Sequence, residues 1–188
     1  MAGFGHPYLR IAATLLRAGG VVAYPTEAVW GLGCDPRHPE ALARILALKG
    51  RDPGKGLILV AAELAMLRPF LRGLDHRLIA RMEATWPGPV TWLIPDNGVA
   101  LPAVTGGRGT LAVRVSAHPV AAALSRAFGG PIVSTSANPQ GLPPATRLPE
   151  VKAYFGARVD YYTPGRVGAR RRPSEIRDLM SGAVVRPG

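Results

Sequence analysis

Residues 110–138 read TLAVRVSAHPVAAALSRAFGGPIVSTSAN, and this stretch decides the fold class. Residues 110–115 form an apolar run whose only charge is Arg114, and they read as a strand. Residues 119–128 read as a helix with Pro119 in its first turn, where a missing N–H does no harm. Residues 132–134 are a second buried strand, which runs straight into the polar cluster Ser134-Thr135-Ser136-Ala137-Asn138. A strand, a helix and a strand in close succession predict a sheet with helices laid on it.

The same alternation extends in both directions. Upstream, 7–18 reads as an amphipathic helix stopped by Gly19-Gly20, 21–24 as a short buried strand and 25–35 as a glycine-punctuated loop. A helix over 39–48 delivers Lys49 at its C-terminal end, and 57–60 reads as a strand. Two helices follow near 63–71 and 75–84, with Asp75 as N-cap of the second. Residues 86–89 form a Pro/Gly turn and 90–94 a strand. Downstream come a surface loop at 139–149, a short helix at 151–155 and strands at 159–162, 174–177 and 183–185. The pattern predicts an α/β or mixed α+β architecture, with residues 1–188 as one domain.

The chain has 188 residues, 47% of them apolar and 19% charged, which is globular composition. Its formal charge of +11 favours anionic partners such as nucleotides or RNA. Cys34 is the only cysteine, so no intrachain disulfide and no cysteine-based metal site is expected. The first residues lack a cationic segment followed by an apolar one, and no uncharged run is long enough to span a bilayer. The expectation is a cytoplasmic protein without a membrane partner. His6, His38, His76 and His118 are scattered near helix starts and read as surface or capping residues.

Two clusters carry chemistry. Lys49-Gly50-Arg51, with Lys55 close behind, offers a guanidinium fork and mobile ammonium groups suited to phosphate oxygens. In an extended segment Lys49 and Arg51 would share a face. The stretch imitates a phosphate-binding P-loop but lacks its first glycine and the hydroxyl after the lysine, because Gly56 follows Lys55. Ser134, Ser136 and Asn138 alternate after a buried strand, and extended geometry puts these neutral donors and acceptors on one face. Pro25-Thr26-Glu27 precedes Trp30-Gly31-Leu32-Gly33 and reads as a strand-end loop lining a pocket. Arg114 lies within an apolar strand and needs a partner, either a substrate carboxylate or an internal Asp/Glu.

Seven blocks in fixed order give the chain its resemblance: residues 24–33, 48–51, 86–91, 111–115, 134–138, 173–178 and 186–188. Together they resemble the YrdC/TsaC family of threonylcarbamoyl-AMP synthases, in its short bacterial form. The resemblance implies a twisted mixed sheet flanked by helices around an open basic cavity. It implies a nucleotidyltransferase that converts L-threonine, bicarbonate or CO₂, and ATP into threonylcarbamoyl-AMP and pyrophosphate. Partner proteins then carry the group to the tRNA adenosine beside the anticodon.

The resemblance places the catalytic set on Lys49, Arg51, Ser136 and Asn138. It places ATP contacts on Arg51, Lys55, Thr110, Ser136 and Arg186, and threonine contacts on Thr26, Arg114, Ser134 and Ser174. Ala28 and Val60 depart from longer relatives, which carry a threonine and a histidine there. Mg²⁺ is expected on the ATP rather than in a protein site, since 12 Asp and Glu form no apparent carboxylate cage. The competing reading is a basic RNA-binding module with no chemistry of its own, for which Arg170-Arg171-Arg172 would be a contact segment.

Overall fold

The computed structural model describes residues 6–170 and 172–188. In chain order it has α1 (Pro7–Arg17), β1 (Val22–Pro25), β2 (Trp30–Gly33), α2 (Pro39–Lys49), a 3₁₀ turn (Pro53–Lys55), β3 (Ile58–Ala61) and a longer 3₁₀ stretch (Leu64–Leu71). There follow α3 (His76–Glu83), β4 (Val90–Pro95), α4 (Pro102–Thr105), β5 (Thr110–Val115), α5 (Pro119–Phe128) and β6 (Ile132–Ser136). The chain closes with α6 (Leu148–Phe155), a 3₁₀ turn (Gly156–Arg158), β7 (Tyr161–Tyr162), β8 (Glu175–Asp178) and β9 (Val184–Arg186).

The strands make one mixed sheet in the order β7-β1-β2-β6-β3-β5-β4-β8-β9. β3 runs parallel to β5 and antiparallel to β6, and β4 runs antiparallel to β5 and parallel to β8. The mixed sheet with flanking helices agrees with the expected fold class.

Helix ends follow local chemistry. α2 and α5 each start on a proline and stop at a left-handed glycine, Gly50 and Gly129. Asp75 caps α3 as expected, accepting from the Arg77 N–H at 2.7 Å.

Residues 25–35 are not a continuous loop, because β2 lies within them. Trp30 and Leu32 point into the main core, while Gly31 and Gly33 occupy the other face of the strand. A Cβ on Gly33 would stand 2.6 Å from the Val133 carbonyl oxygen and 2.8 Å from the Tyr24 ring. These glycines permit close strand approach rather than a turn. β6 likewise runs two residues past the expected 132–134, because Gly31 and Leu32 pair with Ser136 and Thr135.

Period-2 alternation then builds the site. On one face Trp30, Leu32, Leu59, Leu111, Val113 and Val133 pack under α2, α3 and α6. On the other, Val22, Tyr24 and Ile132 are covered by α1 and α5 through Leu9, Ala12, Leu16, Leu124 and Phe128. That cover does not extend along the whole sheet. Gly31, Ile58, Ala112, Arg114, Ser134 and Ser136 lie beyond it and line clefts.

Candidate active site

The cleft floor is a row across three strands. Ile58 of β3 pairs with Ser134 of β6 on one side and with Ala112 of β5 on the other, and Val60 pairs with Arg114. The main cleft, about 230 Å³, is lined by Thr26, Ala28, Arg51, Arg114, Ser134, Ser136, Ser174 and Arg186, among others. A second cleft is lined by Lys55, Thr105, Arg108, Thr110 and Ile176, and shares Arg51, Leu57, Ile58 and Arg186 with the first. The two are halves of one groove, and Arg51 and Arg186 stand at the junction.

Arg51 follows the left-handed Gly50 and donates through Nε and Nη2 to the Gly56 carbonyl, at 3.3 and 2.9 Å. Burial and the nearby Arg108 charge hold its pKa below the ordinary arginine value. The same two effects, burial and then the charges of Arg114 and Arg51, lower Arg186. Both statements say that cations crowd this junction, which is favourable only for an anionic occupant. Lys55 is exposed at the second half, and Thr110 sits at the start of β5 beside it.

Lys49 departs from expectation. It does not share a face with Arg51, because Gly50 turns the chain between them. Lys49 is 4% exposed, and its Nζ donates to the Ser136 carbonyl, to the Asn138 carbonyl at 2.7 Å and to Asn138 Oδ1 at 3.4 Å. Burial, and after it the Arg51 charge, pushes its pKa down to about 8. Asn138 is also turned inward, with Nδ2 donating to Leu142 O at 2.6 Å and Pro139 O at 3.2 Å. Ser134 and Ser136 share the cleft face, as alternation predicts, while Asn138 lies past the strand end in a turn. The Lys-x-Arg and Ser-x-Asn residues do converge, but Lys49 and Asn138 brace the end of β6 and Arg51 and Ser136 line the groove.

At the other end Arg114, 7% exposed, meets Glu27 Oε2 at 3.2 Å. The partner is therefore an internal carboxylate, and the guanidinium still lines the cleft. Glu27 Oε1 accepts from Ser116 Oγ at 2.7 Å and from the Ala117 N–H at 3.1 Å. Burial would raise the Glu27 carboxyl, but Arg114 and these hydrogen bonds outweigh it and hold the pKa below the usual range. Thr26 Oγ1 donates to Val29 O at 2.7 Å, and Ser174 Oγ accepts from Thr91 Oγ1 at 3.0 Å. Of the two departures from longer relatives, Ala28 lines the cleft and Val60 is fully buried in the sheet.

Sequence reading missed two groups. Glu27 was legible as part of a pocket loop, but its partners Ser116 and Arg114 lie far away in the chain. Arg108 was not singled out, although it stands in a glycine-rich run, Gly106-Gly107-Arg108-Gly109. It donates through Nε to the Gly54 carbonyl beside Lys55. His118 holds the N-cap position of α5, as one of the two readings expected, but without a side-chain cap bond, and it is buried rather than at the surface, with Nε2 3.1 Å from the Arg166 carbonyl. Arg170 and Arg172 line the main cleft, whereas Arg171 lies outside the described residues. Among the described residues no three His, Cys, Asp or Glu side chains cluster to hold a metal ion, and no helix is long and apolar enough to cross a membrane.

The Sua5/YciO/YrdC family model, described as "Telomere recombination", matches residues 14–188. The chain belongs to this family. A Sua5/YciO/YrdC relative from Cellvibrio japonicus, named threonylcarbamoyl-AMP synthase, is 55% identical over 97% of this chain and 96% of its own length. One from Halorhodospira halophila with the same name is 58% identical over 95% of this chain and 93% of its own. Among solved structures, P. abyssi Sua5 complexed with L-threonine superposes with a TM-score of 0.90 at 33% identity, over 96% of this chain. This chain spans 54% of that longer Sua5 chain. The resemblance drawn from the seven sequence blocks and the Sua5/YciO/YrdC membership agree.

Proposed function

We infer that this chain is a threonylcarbamoyl-AMP synthase, a nucleotidyltransferase that makes threonylcarbamoyl-AMP and pyrophosphate from L-threonine, bicarbonate or CO₂, and ATP. The observation that carries this is the agreement between full-length relatives of that name and a groove with two chemically different halves. An RNA-binding module without chemistry is not favoured, since relatives 55% and 58% identical over nearly the whole chain carry the synthase name. We propose residues 1–188 as one catalytic domain, acting in the cytoplasm.

The half holding Thr26, Arg114, Ser134 and Ser174 suits an amino acid, because a guanidinium meets a carboxylate in two parallel bonds and hydroxyls match ammonium and hydroxyl groups. The half holding Lys55, Arg108, Thr110 and Arg186 suits a triphosphate, with Mg²⁺ arriving on it and keeping most of its waters. The reacting atoms meet at the junction. The threonine amine, as the free base, captures CO₂ as a carbamate and gives up a proton to solvent, a carbamate oxygen bonds to the α-phosphorus, and the bond to the β-phosphate bridge breaks, releasing pyrophosphate. No protein nucleophile is needed. Catalysis rests on holding the two substrates in line and on meeting the charge that builds on phosphate oxygens, the work assigned to Arg51 and Ser136. Lys49 and Asn138 act one step back, by fixing the strand end that presents Ser136.

The product is a labile mixed anhydride, so separate transfer proteins must take it to tRNA. The test is pyrophosphate release from ATP, with L-threonine and bicarbonate each omitted in turn. Release that requires both is expected. No release under any combination, alongside salt-sensitive RNA binding, would replace this reading with the binding-module one, and release independent of threonine would overturn the assignment of threonine as substrate.

A further inference from the structure

The groove's cations are not in one electrical state. Arg114 is held 3.2 Å from Glu27 Oε2, with both side chains nearly buried. Glu27 cannot swing away, because Oε1 is fixed by Ser116 Oγ at 2.7 Å and by the Ala117 N–H at 3.1 Å. At the junction and in the second half of the groove, Arg51, Lys55, Arg108 and Arg186 make no ion pair among the described residues. The nearest acid to Arg51, Asp52, turns Oδ1 instead to the Gly54 N–H at 2.9 Å. Arg108 and Arg51 spend their donors on neutral carbonyls, Gly54 O and Gly56 O.

Both substrates bring anionic groups into this single groove, and pyrophosphate must leave it. A bare arginine at the amino-acid end would attract phosphates as strongly as carboxylates. The paired Arg114 differs. Only its Nη2 faces Glu27, and the guanidinium still lines the main cleft, so donor capacity remains for a ligand. A singly charged carboxylate can meet those donors. A phosphate carrying two or more charges meets the same donors and also the Glu27 carboxylate behind them, and like charges in a partly dry site repel.

We propose that Glu27 is a positioning residue that sorts the two anions: by neutralising Arg114 it reserves that end for the amino-acid carboxylate and confines polyphosphate to the unpaired Arg51, Lys55, Arg108 and Arg186. This rests on the synthase reading above and assigns Glu27 a role in selecting which anion binds where.

The experiment measures the affinity of L-threonine by calorimetry, with and without saturating inorganic pyrophosphate and with no added metal. In the native protein pyrophosphate leaves threonine affinity unchanged. In Glu27→Gln, whose amide oxygen can still accept from Ser116 and Ala117, pyrophosphate weakens threonine binding ~10-fold, the equivalent of about one charge-assisted bond, while the KM for ATP stays within about twofold. Unaltered threonine affinity in Glu27→Gln plus pyrophosphate overturns the proposal.

A second variant, Glu27→Gln with Arg114→Gln, removes both buried charges together and so leaves none unpaired. It should lose threonine binding and keep ATP binding. Parallel loss of both would show that Arg114 serves the phosphates, and would also overturn the proposal. The native control is read first, because native protein without threonine-dependent pyrophosphate release defeats the synthase reading rather than the sorting role.

Discussion

Arg51 and Lys49 stand two residues apart and do different work. Arg51 lines both halves of the groove at the place where phosphate charge must be met. Arg51→Ala should slow pyrophosphate release by ~10²–10³-fold with little change in melting temperature, the cost of removing one donor to developing charge. An unchanged rate would remove it from the site.

Lys49 reports on itself through pH. In the fold its proton leaves near pH 8, and in the unfolded chain near 10.5. Between these values the unfolded chain binds more protons, so this group's contribution to stability rises with pH. Below pH 8 both states are charged and the burial penalty is present in full. Denaturant midpoints of the native protein should therefore gain on those of Lys49→Met from pH 8 upward. A flat difference would mean that the three oxygens around Nζ keep the ammonium charged.

These roles were only partly legible. A cation in an apolar strand announces itself, so Arg114 could be found from sequence, as could Ser134 and Ser136. The inward turn of Lys49 depends on a left-handed Gly50 that composition does not reveal. Arg108 looks like any solvated arginine until Gly54 and Lys55 are seen beside it.

Among the elements, β2 carries the plainest lesson. Trp-Gly-Leu-Gly reads as punctuation because glycine usually marks turns, but here glycine alternates with core residues and lets β1, β2 and β6 close up. The loop of α4 and Gly106 applies the same device at the site. Gly106 has φ +67°, and a Cβ there would stand 2.7 Å from Gly56 N and 2.8 Å from Gly54 O. This contact sets the Arg108 loop against the turn that carries Lys55. Gly106→Ala should cost ~1–3 kcal/mol through the forced backbone. It should raise the KM for ATP and leave that for threonine unchanged, as steady-state kinetics on both substrates would show. Helices α2 and α5 were legible within a residue because proline and glycine bracket them. α4 was not, since four residues are too few to show a period.

For the whole molecule, the +11 charge was legible as a preference for anions, and strand–helix alternation as a sheet with helices on it. Sheet order was not, because strands of four residues hold no record of their neighbours. The charge has a measurable consequence. With Arg114 paired to Glu27 and the cations of the junction and second half unpaired, salt should act unequally. Between about 0.01 and 1 M salt, where the screening length falls from ~30 to ~3 Å, the KM for ATP should climb steeply and that for threonine much less. Equal dependence would mean that the two ends are not electrically distinct.

The floor row Ser134–Ile58–Ala112 has a bearing on how the protein is made. β3 receives both of its neighbours from later in the chain, β5 at residues 110–115 and β6 at 132–136. A polypeptide leaving the ribosome exposes Ile-Leu-Val-Ala with two unpaired edges until much of the chain has followed. Such a segment is a template for wrong pairing, and closure over that span is slow. Refolding yield should therefore fall with protein concentration, and it should recover when a chaperone holds the chain during the wait.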